Sequence, residues 1–368
     1  MSGVLVVGGG IGGLTAAIAL RQRGFDVDLI EREPEWTVYG VGIIQQANVI
    51  RAMAQLGVVD DYIHAGFGFS TVEIYAPDGR RLAVVPTPRL VEGYPSNVGI
   101  GRKALQKVLS DRAFGAGARI RLGVTVAALE DDGAGVSVGF SDGGSGRYDL
   151  LIGADGLNSQ MRTTLFPEAQ PPVFENQGVW RYNLPRPADV VSLHAFEGPR
   201  GIGLVPLSET VMYMYLTTPE PGNPRYQPEK LAQTMRDKLA GAAPRILALS
   251  ELITDDDAVV YKPLESVLLE GPWHKGRCVL IGDAAHATTP HLGQGAGMAI
   301  EDSLVLAEEL SRGGGTTDAL ARFQERRFAR CRYIVEASRA ICRAQVAGEP
   351  VDQAKATADM FKRVAEPI

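Results

Sequence analysis

The 368-residue chain is short of the residues whose chemistry is easiest to read. It has three cysteines, Cys278, Cys331 and Cys342, and no C-x-x-C pair. That argues against a disulfide framework and a cysteine zinc site, and makes a reducing cytoplasm the expected compartment. Its five histidines, His64, His194, His274, His286 and His291, have no mutual metal-ligand spacing, so no metal site is expected. Neither sign of charge dominates: 37 Lys+Arg against 43 Asp+Glu leave −6, without the basic footprint of a nucleic-acid or anionic-membrane binder. A long apolar run is also lacking. Residues 2–20 carry no charge, but Gly3, Gly8, Gly9, Gly10, Gly12 and Gly13 interrupt them and no basic segment precedes them. Neither a membrane span nor a secretory signal is expected. There is no internal repeat, and 45% hydrophobic with 22% charged residues excludes a disordered chain.

What the chain does have is glycine, 43 residues of it, and the placement matters. Gly3–Val7 is an apolar run suited to a strand buried on both faces, Leu14–Arg23 reads as a helix closed by Gly24, and Asp26–Glu31 is a second strand. Further helices are expected at Ala47–Leu56 and Lys103–Ala113, with a β-hairpin excursion over 71–98 and strands at 119–126, 136–140 and 148–153. From 171 to 225 prolines multiply and short β runs follow one another, which suits an antiparallel sheet. Helical periodicity returns at 228–251, the strand Arg277–Ile281 leads into a glycine-rich turn and the helix Gly293–Leu310, and the last 50 residues are mostly helical. The expectation is an α/β chain with a Rossmann-like nucleotide-binding unit in pieces, 1–70, 99–166 and 276–316. A β-rich unit, 71–98 and 167–275, is inserted into it, and C-terminal helices occupy 317–368.

The segment VVGGGIGGL sets Gly8-x-Gly10-x-x-Gly13 between strand and helix, with Ile11 and Gly12 inside it. The first glycine makes the turn, the second admits a pyrophosphate to the backbone, and the third lets helix and strand pack closely. The helix N-terminus supplies amide donors. Glu31, ending the second strand, can accept from ribose hydroxyls. This motif alone does not separate FAD from NAD. Arg32 reads equally as a solvated strand end.

Two later segments narrow the choice. LLIGADGLNSQMR contains Asp155-Gly156, Ser159 and Arg162, and WHKGRCVLIGDAAHATTPHLGQGAGMAIED contains Gly282-Asp283, His286, Pro290, Gly293, Gln294, Gly295, Ala296 and Gly297. With the N-terminal motif, these resemble the three fingerprints of the single-component (group A) FAD-dependent monooxygenases, the aromatic-ring hydroxylases such as 4-hydroxybenzoate and salicylate hydroxylases. The resemblance spans about residues 3–345 in family order. It implies FAD as cofactor, NADH or NADPH as co-substrate, and hydroxylation of an aromatic or heteroaromatic ring through a flavin hydroperoxide. It also implies roles: Asp283 on a ribityl hydroxyl, Gly293–Gly297 facing the pyrimidine edge of the flavin, and Asp155 near the pyrophosphate. Arg102 would start a helix over the diphosphate–ribityl chain, Val126 would meet adenine through its backbone, and Pro290 would lie near the reactive face. Asp155 reads alternatively as an Asp-Gly turn residue and Pro290 as a helix-start proline. Ala47 stands where the family often has proline.

For the substrate the sequence offers less. VWRYNL places Arg181 on a strand, and VMYMYL places Tyr213 and Tyr215 on one face with Met212 and Met214 on the other. Arg181 or Arg200 suits an acidic substituent. The tyrosine face is expected to meet a small aromatic substrate, and the methionines the insert's own core. His286 is expected to pack and hydrogen-bond beneath the flavin loop. The arginines Arg322, Arg326, Arg327, Arg330, Arg332, Arg339 and Arg343 share a helix that reads as a solvated, salt-bridged face. A monomer or homodimer is expected. The alternatives are another FAD oxidoreductase on the same scaffold, an epoxidase or reductase, or a flavin sensor without turnover. A halogenase W-x-W motif is absent, since Trp36, Trp180 and Trp273 stand far apart.

Overall fold

A computed structural model describes residues 3–38, 40–198 and 200–368. Its centre is a six-stranded sheet in the order 274–275, 278–280, 150–153, 3–7, 26–31, 119–122, parallel throughout except for the edge pair 274–275 with 278–280. Leu5, Leu151, Val279 and Leu29 are fully buried, because helices cover both faces of such a sheet and leave no polar side to alternate with. The helix Ile11–Gln22 follows the first strand and packs against Gly295–Ser311. Gly12 faces Ala299 in this contact, where a Cβ on it would stand 3.4 Å from that of Ala299. Thr15 and Ser303 hydroxyls meet across the same seam at 2.9 Å.

The second large sheet has seven strands in the order 260–266, 173–185, 211–219, 202–206, 193–196, 71–75, 81–86. The hairpin 71–86 therefore joins strands that follow it by more than a hundred residues. It does so through a parallel pair, 71–75 with 193–196, in a sheet that the sequence led us to expect as antiparallel. A hairpin delivered from an earlier crossover can add to an open edge in either direction. One face of this sheet packs on the short helices Leu231–Lys238 and Pro244–Ser250, and Met212 and Met214 are fully buried there with Trp180, Leu239 and Ile246. The opposite face, with Tyr213, Val205 and Leu207, turns toward Ile44 on the strand Gly42–Gln46. The tyrosine face thus looks toward the small sheet that contains Gly42–Gln46, and the methionines into the insert's own core.

Two smaller sheets complete the fold, 145–148, 136–140, 126–131 and 42–46, 97–101, 67–69. The long helix Thr316–Ala347 and the helix Gln353–Ala365 close it. Among the described residues no helix is long and apolar enough to cross a membrane.

Candidate active site

The first strand ends at Gly8, whose φ of 110° suits only glycine, and its amide donates to Ile30 O at 2.8 Å. A Cβ on Gly13 would stand 1.8 Å from Gly8 O, so the turn and the helix can lie this close only with glycine at position 13. At Gly10, the helix N-cap, a Cβ would meet nothing within 4 Å, and no side chain caps the helix. This is an open cradle lined with backbone donors. Glu31 reaches its edge: one carboxylate oxygen accepts from Gly9 N at 2.7 Å and the other from Glu33 N at 3.0 Å. Trp36 covers Gly9, where a Cβ would strike the indole at 2.5 Å. Ile11 opens the helix half-buried, and Arg32 points outward to Glu33 at 3.2 Å.

The second fingerprint folds onto this loop. Asp155 accepts from Ser159 Oγ at 2.5 Å and from Met161 N at 3.0 Å, so its carboxylate shapes the turn into the helix Gln160–Leu165. Arg162 donates to Ala284 O at 3.0 Å and to Leu157 O at 2.7 Å, clamping the second fingerprint to the third. Val126 is buried and its carbonyl accepts from Gln160 Nε2 at 3.0 Å.

In the third fingerprint, Gly282 takes φ 59°, and Asp283 is exposed at the start of a short helix. Desolvation by the protein around it raises its pKa, against the opposing charges of His286 and Arg102. Among the described residues no group donates a hydrogen bond to its carboxylate, which leaves it a free acceptor. Pro290, half-exposed, opens a short 3-10 turn that ends at Gly293, φ 65°. Gly295, Ala296 and Gly297 then begin a 17-residue helix that no side chain caps. Its first amides are free to face negative charge. The Gln294 side chain turns inward, exchanging hydrogen bonds with Asn48 at 2.9 and 3.1 Å and donating to Gln46. What Gln294 offers outward is backbone.

Beneath these loops lies a buried network that the arginine-rich helix supplies. Asp302 accepts from Gly282 N at 2.9 Å, from His286 at 2.6 Å and from Arg327 Nε at 2.8 Å. Glu301 accepts from Arg327 at 2.7 Å, Arg330 at 3.1 Å and Asn48 at 3.1 Å. Burial alone would raise Asp302, but His286 and Arg327 outweigh it and hold the carboxyl down at about 2. Burial opposes the charge on His286 too, yet Cys331 and Asp302 beside it raise its pKa. His286, Asp302 and Cys331 lie close enough to ligate an ion, but Arg327 already fills that space with positive charge. The expectation of a solvated arginine face holds only in part. Arg322 and Arg326 pair with Glu309, Arg332 with Glu336, and Arg339 and Arg343 with Glu175, whereas Arg327 and Arg330 are interior.

The substrate side is built differently. Arg181 stands opposite Tyr215 in register, half-exposed, with no carboxylate partner among the described residues. Burial, and then the like charge of Arg102, lower its pKa to about 10, with Tyr213 opposing. Burial raises Tyr213 and Tyr215, whose rings lie 6.2 Å apart. Arg181, Arg102, Tyr213 and Asp283 are within electrostatic reach of one another through Arg102. Arg200 is elsewhere: it donates to Lys238 O and, at 2.9 Å, to Ala240 O, closing a helix end. Trp36, Asn48, Glu301 and Asp302 were not singled out from the sequence. Asp302 had a signal, an acid seven residues after a helix-opening glycine, but its partners come from a helix further along the chain.

These features match known proteins. The FAD binding domain family matches residues 1–338. A putative FAD-dependent monooxygenase, YetM, from Bacillus subtilis is 33% identical over 353 residues, 95% of each chain. The 2-heptyl-3-hydroxy-4(1H)-quinolone synthase of Pseudomonas aeruginosa is 33% identical, covering 90% of this chain and 86% of its own. The structure of Klebsiella pneumoniae HpxO complexed with FAD and uric acid aligns with a TM-score of 0.85 at 26% identity, over 100% of this chain and 93% of that one.

Proposed function

The chain belongs to the FAD binding domain family of flavoprotein monooxygenases, and on that premise we propose that it hydroxylates an acidic heteroaromatic ring held between Arg181 and the Tyr213/Tyr215 face. FAD supplies the redox chemistry, carrying two electrons from NADH or NADPH to dioxygen. The balance is ring C–H plus NAD(P)H, a proton and O2 giving ring C–OH, NAD(P)+ and water.

The residues fit the cofactor. The open cradle at Gly10 receives the pyrophosphate, Glu31 the adenosine ribose, and Val126 the adenine edge. Asp283 takes a ribityl hydroxyl, Arg102 and Asp155 flank the diphosphate, and the amides of Gly295–Gly297 favour negative charge on the pyrimidine edge. In this reading residues 1–70, 99–166 and 276–316 hold FAD, while 71–98 and 167–275 form the substrate unit. Pro290 and the tyrosine face keep water from the ring.

The observation that carries the substrate class is Arg181. Desolvation lowers the pKa of this half-exposed guanidinium, which has no carboxylate partner among the described residues; an anionic ligand would offset that cost, and carboxylate or enolate oxygens match its planar fork. The Klebsiella relatives are named urate hydroxylases, and other matched structures are of a hydroxypyridine carboxylic acid oxygenase. The test is NAD(P)H oxidation with uric acid, pyridine carboxylates and quinolones, with product identification. Stimulated oxidation with a hydroxylated acid as product is expected. Stimulation by none of them would remove the substrate reading, and a protein that binds no FAD would remove the whole.

A further inference from the structure

The substrate-facing sheet and the Pro290 segment meet at one side chain, Gln345, near the end of the helix Thr316–Ala347. Its Oε1 accepts from Gln177 Nε2 at 2.9 Å, from His291 Nε2 at 3.1 Å and from Thr217 Oγ1 at 3.3 Å. Gln345, Gln177, Thr217 and Thr289 are all buried. Gln177 and Thr217 belong to the strands that carry Arg181 and Tyr215, and Thr217 shares the face of Tyr215 two residues before it. His291 follows Pro290 directly.

The hydrogen bonds of this junction form one self-consistent set. With the Gln177 amide N–H directed at Gln345, the group it meets there is the carbonyl oxygen. The oxygen of Thr217 accepts from Gly201 N at 3.0 Å, which leaves its own proton to donate. His291 must then carry its proton on Nε2, and Nδ1, 3.0 Å from Thr289 Oγ1, accepts the threonine hydroxyl. Burial lowers His291 to about 4, with Gln345 and Glu175 opposing, so the neutral ring persists at neutral pH.

We propose that Gln345 and His291 are positioning residues for oxygen transfer, a tie that holds the wall carrying Arg181 and Tyr215 at a fixed distance from the Pro290 segment. The inference rests on the functional reading above, which puts the reacting ring between these two walls. NAD(P)H and dioxygen are consumed on either outcome; the spacing decides whether oxygen enters the ring or leaves as hydrogen peroxide.

The experiment compares Gln345→Leu and His291→Leu with His291→Gln as FAD-loaded enzymes, using uric acid and pyridine carboxylates with NAD(P)H. The leucine variants keep FAD and NAD(P)H oxidation, but hydroxylated product per NAD(P)H falls at least about threefold, since displacement of the reacting atoms by an ångström or less is costly. His291→Gln, which can still donate to Gln345, recovers most of the loss. Equal coupling in all variants overturns the proposal. So does loss of FAD in the leucine and glutamine variants alike, which would make the junction a stability element. Hydrogen exchange on the same enzymes supplies a readout without substrate. Gln345→Leu should speed exchange both at residues 291–293 and at Gly201, and unchanged exchange overturns the tie. If wild-type enzyme hydroxylates none of the acids, the functional reading fails while the exchange result still decides the tie.

Discussion

Two arginines, one interior and one half-exposed, are treated in opposite ways. Arg327 is 0% exposed and holds Asp302 at 2.8 Å and Glu301 at 2.7 Å. Arg181 is half-exposed on the seven-stranded sheet with no carboxylate partner among the described residues, and the charge that bears on it most is another cation, Arg102. The first arrangement is closed: each charge has its counter-charge, and removing one leaves the others exposed to a poor solvent. The second is open on one side. A paired interior charge belongs to the fold, whereas an unpaired one at a cleft is a site for something the chain does not itself contain.

Breaking the closed side should have the largest effect. Arg327→Met leaves Glu301 and Asp302 short of their buried partner and is expected to cost about 3–5 kcal/mol in chemical denaturation of the FAD-loaded protein. A loss well under 1 kcal/mol would mean the network is not held as described. Asp283→Ala removes an exposed acceptor and should weaken FAD by about 1–3 kcal/mol, read as the dissociation constant by flavin fluorescence, with little change in the apoprotein's stability. Equal FAD affinity would take Asp283 out of the cofactor site.

The closed network also carries a pH signature. Asp302 is held down at about 2, below its unfolded value of about 3.9. Its contribution is therefore fully present above about pH 4 and is lost as pH falls through the folded value. Asp302→Asn should flatten the stability profile in that window and leave it unchanged near neutrality apart from a constant offset; an acid limb as steep as wild type would contradict the assignment. The smallest effects belong to the open side. Tyr213→Phe and Tyr215→Phe should leave FAD content untouched and lower the hydroxylated product per NAD(P)H about twofold, on the order of one modest hydrogen bond or less. If Met212→Leu alters coupling and the tyrosine variants do not, the substrate is not on the tyrosine face.

The same contrast separates what could be read along the chain from what could not. The unit Gly3–Glu31 is legible because its signals are local: an apolar strand, glycines at fixed offsets, and an acid at the end of the next strand. That the methionines and tyrosines of 211–219 lie on opposite faces follows from strand alternation alone, whereas which face meets the insert's helices depends on packing. The hairpin at 71–86 is legible as a hairpin, but its parallel partner 193–196 is not, because pairing across such a separation depends on which sheet edge remains open. Arginines on a helix read as solvated until packing shows which face is covered. Arg327 and Arg330 are buried because Gly295–Ser311 lies against that face and brings Glu301 and Asp302 to them. Gln294 shows the same limit at one residue: its place in the glycine motif was visible, the inward turn of its amide toward Asn48 was not.

The central claim is that Arg181, which has no carboxylate partner among the described residues, awaits an anion that the substrate brings, and a charge-matched pair of substrates tests it most directly. The measurement is kcat/KM for a hydroxypyridine carboxylic acid and its neutral carboxamide, in wild-type enzyme and in Arg181→Met. The expected result is a preference of wild type for the acid by about 10-fold or more, the scale of a charge-assisted hydrogen bond. In Arg181→Met the preference should collapse toward unity while FAD content and stability hold. A preference that survives the substitution, or a wild type that does not distinguish acid from amide, would contradict it.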